Sequence, residues 1–295
     1  MSGGARRRAA LDAAALVPPE GPFEGGPVPR PAWVEKELGS PTGRNLRVGV
    51  IDSGWDRSIA DARVLPGVGL VDPADELALG RSDDDHDLHG HGTACADQVL
   101  RIAPQAQVVP IRVFGRGLET SPPVLYEALK WAVEQELDVI NVSLGTNLQE
   151  ALLPLYVLCE KARRRGTLIV AAGHNVRDES YPAVFENVIG VDAERFDSPF
   201  TYRYRPDEAM ECVAWGVQVP VLWLGGQRVP KSGTSFAAPQ ISGIVTLFRE
   251  RYPQATLEDV RELLQRYAAE VELPEPKDDA EEPRTDPVGG VTADG

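Results

Sequence analysis

Between residues 45 and 270 the sequence alternates short apolar runs with longer segments in which apolar residues recur every three or four positions. The runs at residues 46–51, 138–143 and 167–172 have the length of single buried strands. Strands that alternate with helical segments are typical of a parallel sheet covered by helices on both faces. The pattern therefore predicts an α/β protein in three layers with a predominantly parallel central sheet.

Capping residues place the predicted element boundaries. Ser121 precedes Pro122, which favours a helix start because proline has no N–H to leave unpaired. Gly166 is suited to end a helix in the left-handed conformation, and Thr256 with Asp259 predicts a capping box. The predicted strands are 46–51, 107–113, 138–143, 167–172 and 187–191, and the predicted helices are 92–102, 121–136, 148–165, 234–251 and 256–269. Residues 210–229 contain two or three further short segments of unassigned pairing.

Composition divides the chain into three parts. Residues 1–45 are rich in proline and glycine, which favours extended, solvated backbone. Residues 46–270 carry the alternating pattern and are long enough for a single large domain. Residues 271–295 are acidic and are predicted to be disordered. We therefore expect one folded domain, an acidic tail and an N-terminal arm that lies across the functional site as a short plug.

Charge and cysteine content restrict the partners and the compartment. The formal net charge is −15, whereas nucleic acid binding requires clustered Lys and Arg, so nucleic acid is disfavoured as a partner. No apolar run approaches the roughly 20 residues that a membrane span requires, so a membrane is disfavoured as well. Three cysteines are too few for a disulfide framework, and Asp12 interrupts the only stretch that imitates a signal peptide. A cytoplasmic location is predicted, with secretion as the alternative.

Three short motifs contain an acid, a base and a hydroxyl. Asp52 ends the first predicted strand, at the edge where open α/β sheets bind ligands. His91 opens a predicted helix between Gly90 and Gly92, and Ser235 begins another helix. A hydroxyl nucleophile needs a neighbouring base, and the base needs an acid that holds its tautomer. Asp52, His91 and Ser235 are therefore predicted to be the catalytic residues of one site.

In the chain order Asp, His and Ser, these motifs resemble those of the subtilisin-like serine protease family, the subtilases. The resemblance covers residues 46–267 and includes the segments 103–106, 138–145 and 171–173. It implies the three-layer subtilisin-like fold and a serine endopeptidase that acts on peptide or protein substrates. In this interpretation Ser235 attacks the peptide carbonyl, His91 takes its proton and returns it to the leaving amine, and Asp52 orients His91.

The resemblance also implies which segments hold the substrate. Ser143, Leu144 and Gly145 match a segment that pairs with substrate backbone and helps to wall the first specificity pocket. A second segment around Gly117, at residues 115–119, would hold the other side of the substrate. Such pairing is strand addition, in which main-chain hydrogen bonds give affinity and side-chain pockets give selectivity.

Glu179 and Ser180 fall in a short stretch that would line the same pocket. A carboxylate at the base of the pocket would favour a Lys or Arg side chain by charge pairing. The alternative is that Glu179 is an exposed loop residue, as most glutamates are.

One position departs from the family pattern. The family places an asparagine that stabilises the oxyanion directly after the glycine that Gly173 matches, but here His174 follows and Asn175 comes next. Three alternatives stay open: the His174 ring donates, Asn175 donates after a shift of the loop, or the Ser235 backbone N–H acts with Thr234. Losing one such donor costs about 10²–10³ in rate, a magnitude measured on a subtilisin. The departure therefore affects speed more than reaction type.

An acidic cluster, residues 83–85 and Asp87, lies just ahead of the His91 motif. Oxygen-rich loops bind Ca²⁺ in many proteins, but this run lacks the spacing of a defined calcium motif. No metal or cofactor is therefore predicted. Calcium is kept as an alternative to a solvated acidic loop or to a loop that binds positively charged substrate residues. Cys95, one helical turn after His91, is expected to pack beneath the imidazole.

Two alternatives to a general endopeptidase fit the same residues. The first keeps the fold but acts as a dedicated peptide-processing protease or a transpeptidase (macrocyclase), as the small size of the chain suggests. The second is a catalytically silent peptide-binding homologue, which the His174 departure suggests. Retention of Asp52, His91 and Ser235 favours an enzyme. Nothing in the sequence indicates the oligomeric state.

Overall fold

The fold is described for residues 28–72, 77–174 and 179–271 of a computed structural model. Its strands are β1 (Arg47–Asp52), β2 (Val68–Val71), β3 (Leu79–Ser82), β4 (Gln107–Arg112), β5 (Val139–Val142), β6 (Leu168–Ala172), β7 (Ile189–Glu194), β8 (Arg203–Tyr204), β9 (Cys212–Trp215), β10 (Val219–Leu222), β11 (Arg228–Lys231) and β12 (Glu270–Val271). Its α-helices are α1 (His91–Ile102), α2 (Pro122–Glu134), α3 (Gln149–Arg164), α4 (Thr234–Arg251) and α5 (Leu257–Tyr267).

A ten-stranded sheet forms the centre of the protein, in the order β12-β8-β9-β7-β6-β5-β1-β4-β2-β3. All neighbours from β9 to β2 pair in parallel, and β10 with β11 forms a separate antiparallel hairpin. The chain runs from β1 to β4 on one side and later to β5 on the other, so the strand order reverses beside β1. Open α/β sheets bind their ligands at such a reversal, at the carboxyl ends of the strands.

Two hydrophobic cores lie on opposite faces of the sheet. Val48 and Val50 face a core formed with α1, α4 and α5, whereas Ile51 faces a core formed with α2 and α3. Helix α4 is buried along nearly its whole length because it packs against both the sheet and α1. The predicted three-layer α/β fold is confirmed. No helix in the described part of the chain is long and apolar enough to cross a membrane.

Most predicted elements match the observed ones to within a few residues. The capping box is present: the Thr256 hydroxyl accepts a hydrogen bond from the Asp259 N–H, and the Asp259 carboxylate accepts one from the Thr256 N–H. Ser121 precedes α2 as predicted, but its hydroxyl donates to the Leu77 carbonyl (2.7 Å) and does not cap the helix. The short strands β2, β3 and β8 were not predicted, because two to four residues are too few to show a periodicity.

Residues 28–45 belong to the folded unit, so the prediction of a solvated arm over residues 1–45 is wrong for this part. The Trp33 ring stacks on Tyr267 with 4.8 Å between centroids, and Val34 and Leu38 are buried. Trp33 also packs on Phe248, near the C-terminal end of α4, whereas the predicted nucleophile lies at its N-terminal end. A few apolar side chains thus anchor the segment away from the site despite its proline content. Residues 1–27 and 272–295, with most of the predicted tail, lie outside the described residues.

Candidate active site

Asp52, His91 and Ser235 lie together at the carboxyl edge of the sheet. Asp52 is the last residue of β1, His91 is the first of α1 and Ser235 is the second of α4. The His91 Nδ1 atom lies 2.7 Å and 2.9 Å from the two carboxylate oxygens of Asp52, and His91 Nε2 lies 2.9 Å from Ser235 Oγ. The three residues predicted from the motifs therefore form one hydrogen-bonded series.

The Asp52 carboxylate is held at the junction of β1 and α1. Its Oδ1 atom accepts a hydrogen bond from the Ser53 backbone N–H (2.7 Å), while Ser53 Oγ accepts one from the Gly92 N–H (2.8 Å). A Cβ at Gly92 would lie 2.4 Å from the Gly54 carbonyl oxygen, so only glycine allows the helix to approach the strand this closely. This approach brings the His91 ring against a fully buried carboxylate.

A second buried acid, Asp87, holds the segment that leads into α1. Its carboxylate accepts hydrogen bonds from the backbone N–H groups of His89 (2.8 Å), Gly90 (2.8 Å) and Thr93 (2.9 Å), and from the Thr93 hydroxyl (2.7 Å). The expectation that the acidic run is a solvated loop is therefore wrong for Asp87, which is buried. An acid just ahead of a helix start is the sequence signal that could have identified it.

Charge around His91 sets its affinity for protons. Burial alone would lower the pKa of His91, but the Asp52 carboxylate, with a smaller effect of Asp87, outweighs burial and the opposing charge of Lys231. The net effect raises the pKa of His91 above its ordinary value. A base of higher pKa takes a proton more readily, which suits His91 to activate the Ser235 hydroxyl.

The first turn of α4 presents Ser235 and its backbone N–H. Gly233 precedes the helix with φ 154°, and the N–H groups of a first helical turn have no partner within the helix. These groups and the positive end of the helix dipole favour negative charge beside Ser235. The following residue, Phe236, packs against the His91 ring with 5.0 Å between centroids, which restricts the position of the imidazole.

A cavity of about 330 Å³ opens beside Ser235 and His91. Its other lining residues are Phe114, Leu118, Ser143, Leu144, Gly145, Ala172, Gly173, His174, Ser180 and Thr234. A Cβ at Gly145 would lie 2.1 Å from Ser180 Oγ, so glycine keeps the two walls in contact here. Besides His91 and Ser235, six predicted residues line the cavity: Ser143, Leu144, Gly145, His174, Ser180 and Thr234. Gly117 does not line it, but its neighbour Leu118 does.

Glu179 does not line the cavity. It is exposed, and its carboxylate accepts a hydrogen bond from the Tyr181 hydroxyl (2.9 Å), which itself accepts one from the Gln149 amide (3.0 Å). The idea of a carboxylate at the base of the pocket is therefore wrong for Glu179, and the alternative of an exposed loop residue fits the structure.

The proposed oxyanion donors have different surroundings. The Thr234 hydroxyl donates to the Gly173 carbonyl (2.6 Å), so its proton points along the wall and not toward a bound oxyanion. The Gly173 N–H donates to the Val191 carbonyl (2.8 Å), so both the N–H and the carbonyl of the residue before His174 are held by hydrogen bonds. His174 is exposed and lines the cavity, and Asn175 lies outside the described residues.

The acidic cluster is largely engaged in hydrogen bonds and ion pairs within the protein. Asp84 pairs with Arg112 at 3.2 Å, and Asp85 accepts hydrogen bonds from Arg57 (2.7 Å) and the Gly67 N–H (2.6 Å). Among the described residues, the His, Cys, Asp and Glu side chains that lie close enough together to share a metal ion are Asp52, His91 and Cys95. They belong to the candidate active site and not to this loop. Asp84 and Asp85 are therefore held by contacts with the protein.

A family model described as the subtilase family matches residues 43–287, well over half of the chain. The chain belongs to the subtilase family. The match begins a few residues before β1 and spans all three motifs, so the resemblance seen in the motifs holds from β1 to the end of α5.

Known relatives of this subtilase include a thermostable alkaline protease of Halalkalibacterium halodurans, 29% identical over 239 residues, which cover 77% of this chain and 63% of the relative. Subtilisin DY of Bacillus licheniformis is also 29% identical, over 75% of this chain and 83% of its own. The chain thus spans less than two thirds of the length of the alkaline protease.

Solved structures agree with the fold. A cold adapted subtilisin-like serine proteinase superposes with a TM-score of 0.60 and 21% identity, over 77% of this chain and 83% of that one. A protease from Pseudoalteromonas arctica superposes with a TM-score of 0.58 and 22% identity, over 77% and 84% of the two chains. The chain therefore has the fold of these subtilisin-like proteins over about three quarters of its length.

Proposed function

We propose that this subtilase is a serine endopeptidase that hydrolyses peptide bonds through an acyl-enzyme. The observation that carries the proposal is the position of the His91 ring, with Nδ1 at 2.7 Å from Asp52 and Nε2 at 2.9 Å from Ser235 Oγ. This is the arrangement in which an imidazole can take a hydroxyl proton while a buried carboxylate stabilises the imidazolium that forms.

The reaction proceeds in two halves. Ser235 Oγ attacks the substrate carbonyl carbon as its proton passes to His91 Nε2, and the resulting tetrahedral oxyanion collapses as His91 returns the proton to the leaving amine. An ester on Ser235 remains. Water then enters, His91 takes one of its protons, and attack on the ester carbonyl releases a carboxylic acid and restores the Ser235 hydroxyl.

The oxyanion lies at the N-terminus of α4 in this mechanism. We assign its stabilisation to the Ser235 backbone N–H and to an N–H of the His174 ring. Support for His174 comes from its place in the cavity lining and from the two hydrogen bonds that hold Gly173 before it. Thr234 serves by holding the Gly173 carbonyl and not as an oxyanion donor.

The substrate is an extended peptide that runs along Ser143 to Gly145 and places one side chain in the cavity. Apart from His91 and His174, the described residues that line this cavity carry no ionisable group. Burying a charged side chain against such walls is costly, so uncharged side chains are the expected occupants. Peptide and protein chains are thus the substrate class.

Glu179→Gln tests this assignment. The Glu179 carboxylate accepts a hydrogen bond from Tyr181 outside the cavity. The kcat/KM for substrates with Lys before the scissile bond, divided by that for substrates with Leu there, is therefore expected to change by less than about twofold. A peptide series that differs only at this position measures the ratio. A marked fall in the kcat/KM for Lys relative to Leu in the variant would place the carboxylate in the pocket after all.

Two other readings make different predictions. A silent peptide binder is disfavoured because the hydroxyl and the imidazole are already at hydrogen-bond distance. A transpeptidase would pass the acyl group to an amine instead of water, which the product mass distinguishes.

The cytoplasmic location has little support from the relatives, one of which is by name an extracellular protease of Bacillus subtilis, and secretion fits this relative better.

A fluorophosphonate probe tests the proposed nucleophile directly. The probe phosphonylates an activated serine hydroxyl, and peptide mass mapping locates the adduct. We expect stoichiometric labelling of Ser235 in the full chain and none in Ser235→Ala. Labelling that persists in Ser235→Ala, or no labelling of the folded native chain, would overturn the assignment.

A further inference from the structure

The backbone carbonyl of Ser235 lacks the partner that a helix normally supplies. Within an α-helix, the carbonyl of residue i accepts a hydrogen bond from the N–H of residue i+4. Four residues after Ser235 stands Pro239, inside α4, and proline has no N–H. A buried carbonyl without a donor costs as much as a lost hydrogen bond, so the surrounding structure must satisfy it.

Two side chains donate to this carbonyl. The Ser143 hydroxyl lies 3.2 Å from the Ser235 carbonyl oxygen, and the Cys95 thiol lies 3.3 Å from it. Burial raises the pKa of the Cys95 thiol well above its ordinary value, so the sulfur keeps its proton and can donate it. Cys95 Sγ also lies 3.9 Å from His91 Nδ1, which confirms that it packs beneath the imidazole.

A buried hydrogen-bond chain sets the direction of the Ser143 proton. The Ser242 hydroxyl donates to Asn141 Oδ1 (2.9 Å), and Asn141 Nδ2 donates to Ser143 Oγ (2.8 Å). Because Ser143 Oγ accepts from Asn141, its single proton is left for the Ser235 carbonyl. Asn141 and Ser242 are fully buried, so water does not compete for these bonds.

We propose that Ser143 and Cys95 are positioning residues that hold the nucleophile through its own carbonyl, in the place of the N–H that Pro239 removes. Ser143 follows β5 in the segment that lines the cavity, and Cys95 lies one turn beyond His91 on α1. One carbonyl therefore ties the nucleophile both to the helix of the base and to the wall of the substrate cavity. The inference rests on the proposed serine endopeptidase activity.

The variants Ser143→Ala, Cys95→Ala and their combination test this role. Each single change is expected to lower kcat about tenfold and the pair at least 100-fold, the size expected when one and then both donors to a buried carbonyl are lost. KM should change by less than about threefold, because the contacts that bind substrate backbone remain. The rate of fluorophosphonate labelling should fall in parallel with kcat.

Pro239→Ala provides the decisive comparison, because alanine restores an N–H at position 239. In the Ser143→Ala, Cys95→Ala background this third change is expected to raise kcat at least about tenfold, whereas in the native chain it should change kcat less than about threefold. If the double variant does not fold, Ser143→Ala with and without Pro239→Ala makes the same comparison. Thermal unfolding of each variant shows which ones are folded.

Thr167→Ala is the matched control, since the Thr167 hydroxyl also donates to a backbone carbonyl, that of Leu137 (2.9 Å). Thr167 immediately precedes β6, at the end of that strand away from the candidate active site. The substitution should lower stability while kcat stays within about twofold. A folded Ser143→Ala, Cys95→Ala variant with native kcat would overturn the positioning role, as would failure of Pro239→Ala to raise kcat. A native chain that neither labels nor cleaves peptides would instead overturn the proposed function.

Discussion

Replacing Asp52 by asparagine is expected to lower kcat about 10⁴-fold, the size known for the same change in another serine protease triad. The amide keeps the shape of the carboxylate but offers an N–H₂ group to His91 Nδ1 and supplies no charge to stabilise the imidazolium. His91 then adopts the tautomer that places its proton on Nε2, where it cannot accept the proton of Ser235. Initial rates on a fluorogenic peptide, with active sites titrated beforehand, measure the loss.

The pH profile of kcat/KM is a second measurement of how Asp52 affects His91. His91 must be neutral to act as a base, so activity in the native enzyme is expected to rise with pH through a midpoint above the ordinary histidine value of 6.5. Asp52 is the main group that raises the pKa of His91, so its loss should move the midpoint to lower pH. A midpoint unchanged in folded Asp52→Asn would contradict this assignment. Asp61→Asn, at a carboxylate paired with Arg63, is the matched control.

Replacing His174 by alanine is expected to lower kcat about 10²–10³-fold with little change in KM, the size found for an oxyanion donor in a subtilisin. The ring N–H would donate to the oxyanion, which exists only in the transition state and the intermediate, so its loss affects kcat and not substrate binding. His174→Asn keeps a donor of similar reach and should retain most of the activity. Steady-state kinetics of the two variants measure the difference.

The Asn175→Ala variant separates the remaining alternatives for the oxyanion. If His174→Ala stays within twofold of the native kcat while Asn175→Ala loses activity, Asn175 is the donor and the His174 assignment is wrong. If neither change matters, the Ser235 N–H and the dipole of α4 suffice. Ser232→Ala, outside the cavity lining, serves as a control for changes near the nucleophile.

Local sequence patterns predicted the elements that carry the catalytic residues. The apolar run before Asp52, the glycines around His91 and the helical pattern after Ser235 each depend on neighbours a few positions away, and the structure has β1, α1 and α4 there. The resemblance to subtilases then joined three motifs, two of which, those of His91 and Ser235, are 144 residues apart. Neither step required knowledge of how distant side chains contact one another.

Other interpretations failed because composition and charge do not show which partner a side chain contacts in the folded protein. Asp87 looked like a member of a solvated acidic loop, yet four hydrogen bonds at the start of α1 bury it. The proline-rich composition of residues 28–45 concealed Trp33, which packs on Tyr267 more than 200 positions away. The charge of Glu179 suggested a carboxylate at the base of the pocket, but this carboxylate accepts a hydrogen bond from the Tyr181 hydroxyl.

The amino-acid sequence by itself determined the α/β class and the motifs that carry the candidate residues Asp52, His91 and Ser235, because periodicity and motif order are properties of the chain. Only the tertiary structure decided which groups satisfy the buried polar atoms around them. The Pro239 ring that leaves the Ser235 carbonyl without a helical partner is visible in the sequence, but its replacement donors, Ser143 and Cys95, come from β5 and α1. Hydrogen bonds of this kind form between elements that meet only when the sheet and helices pack, so no local pattern encodes them.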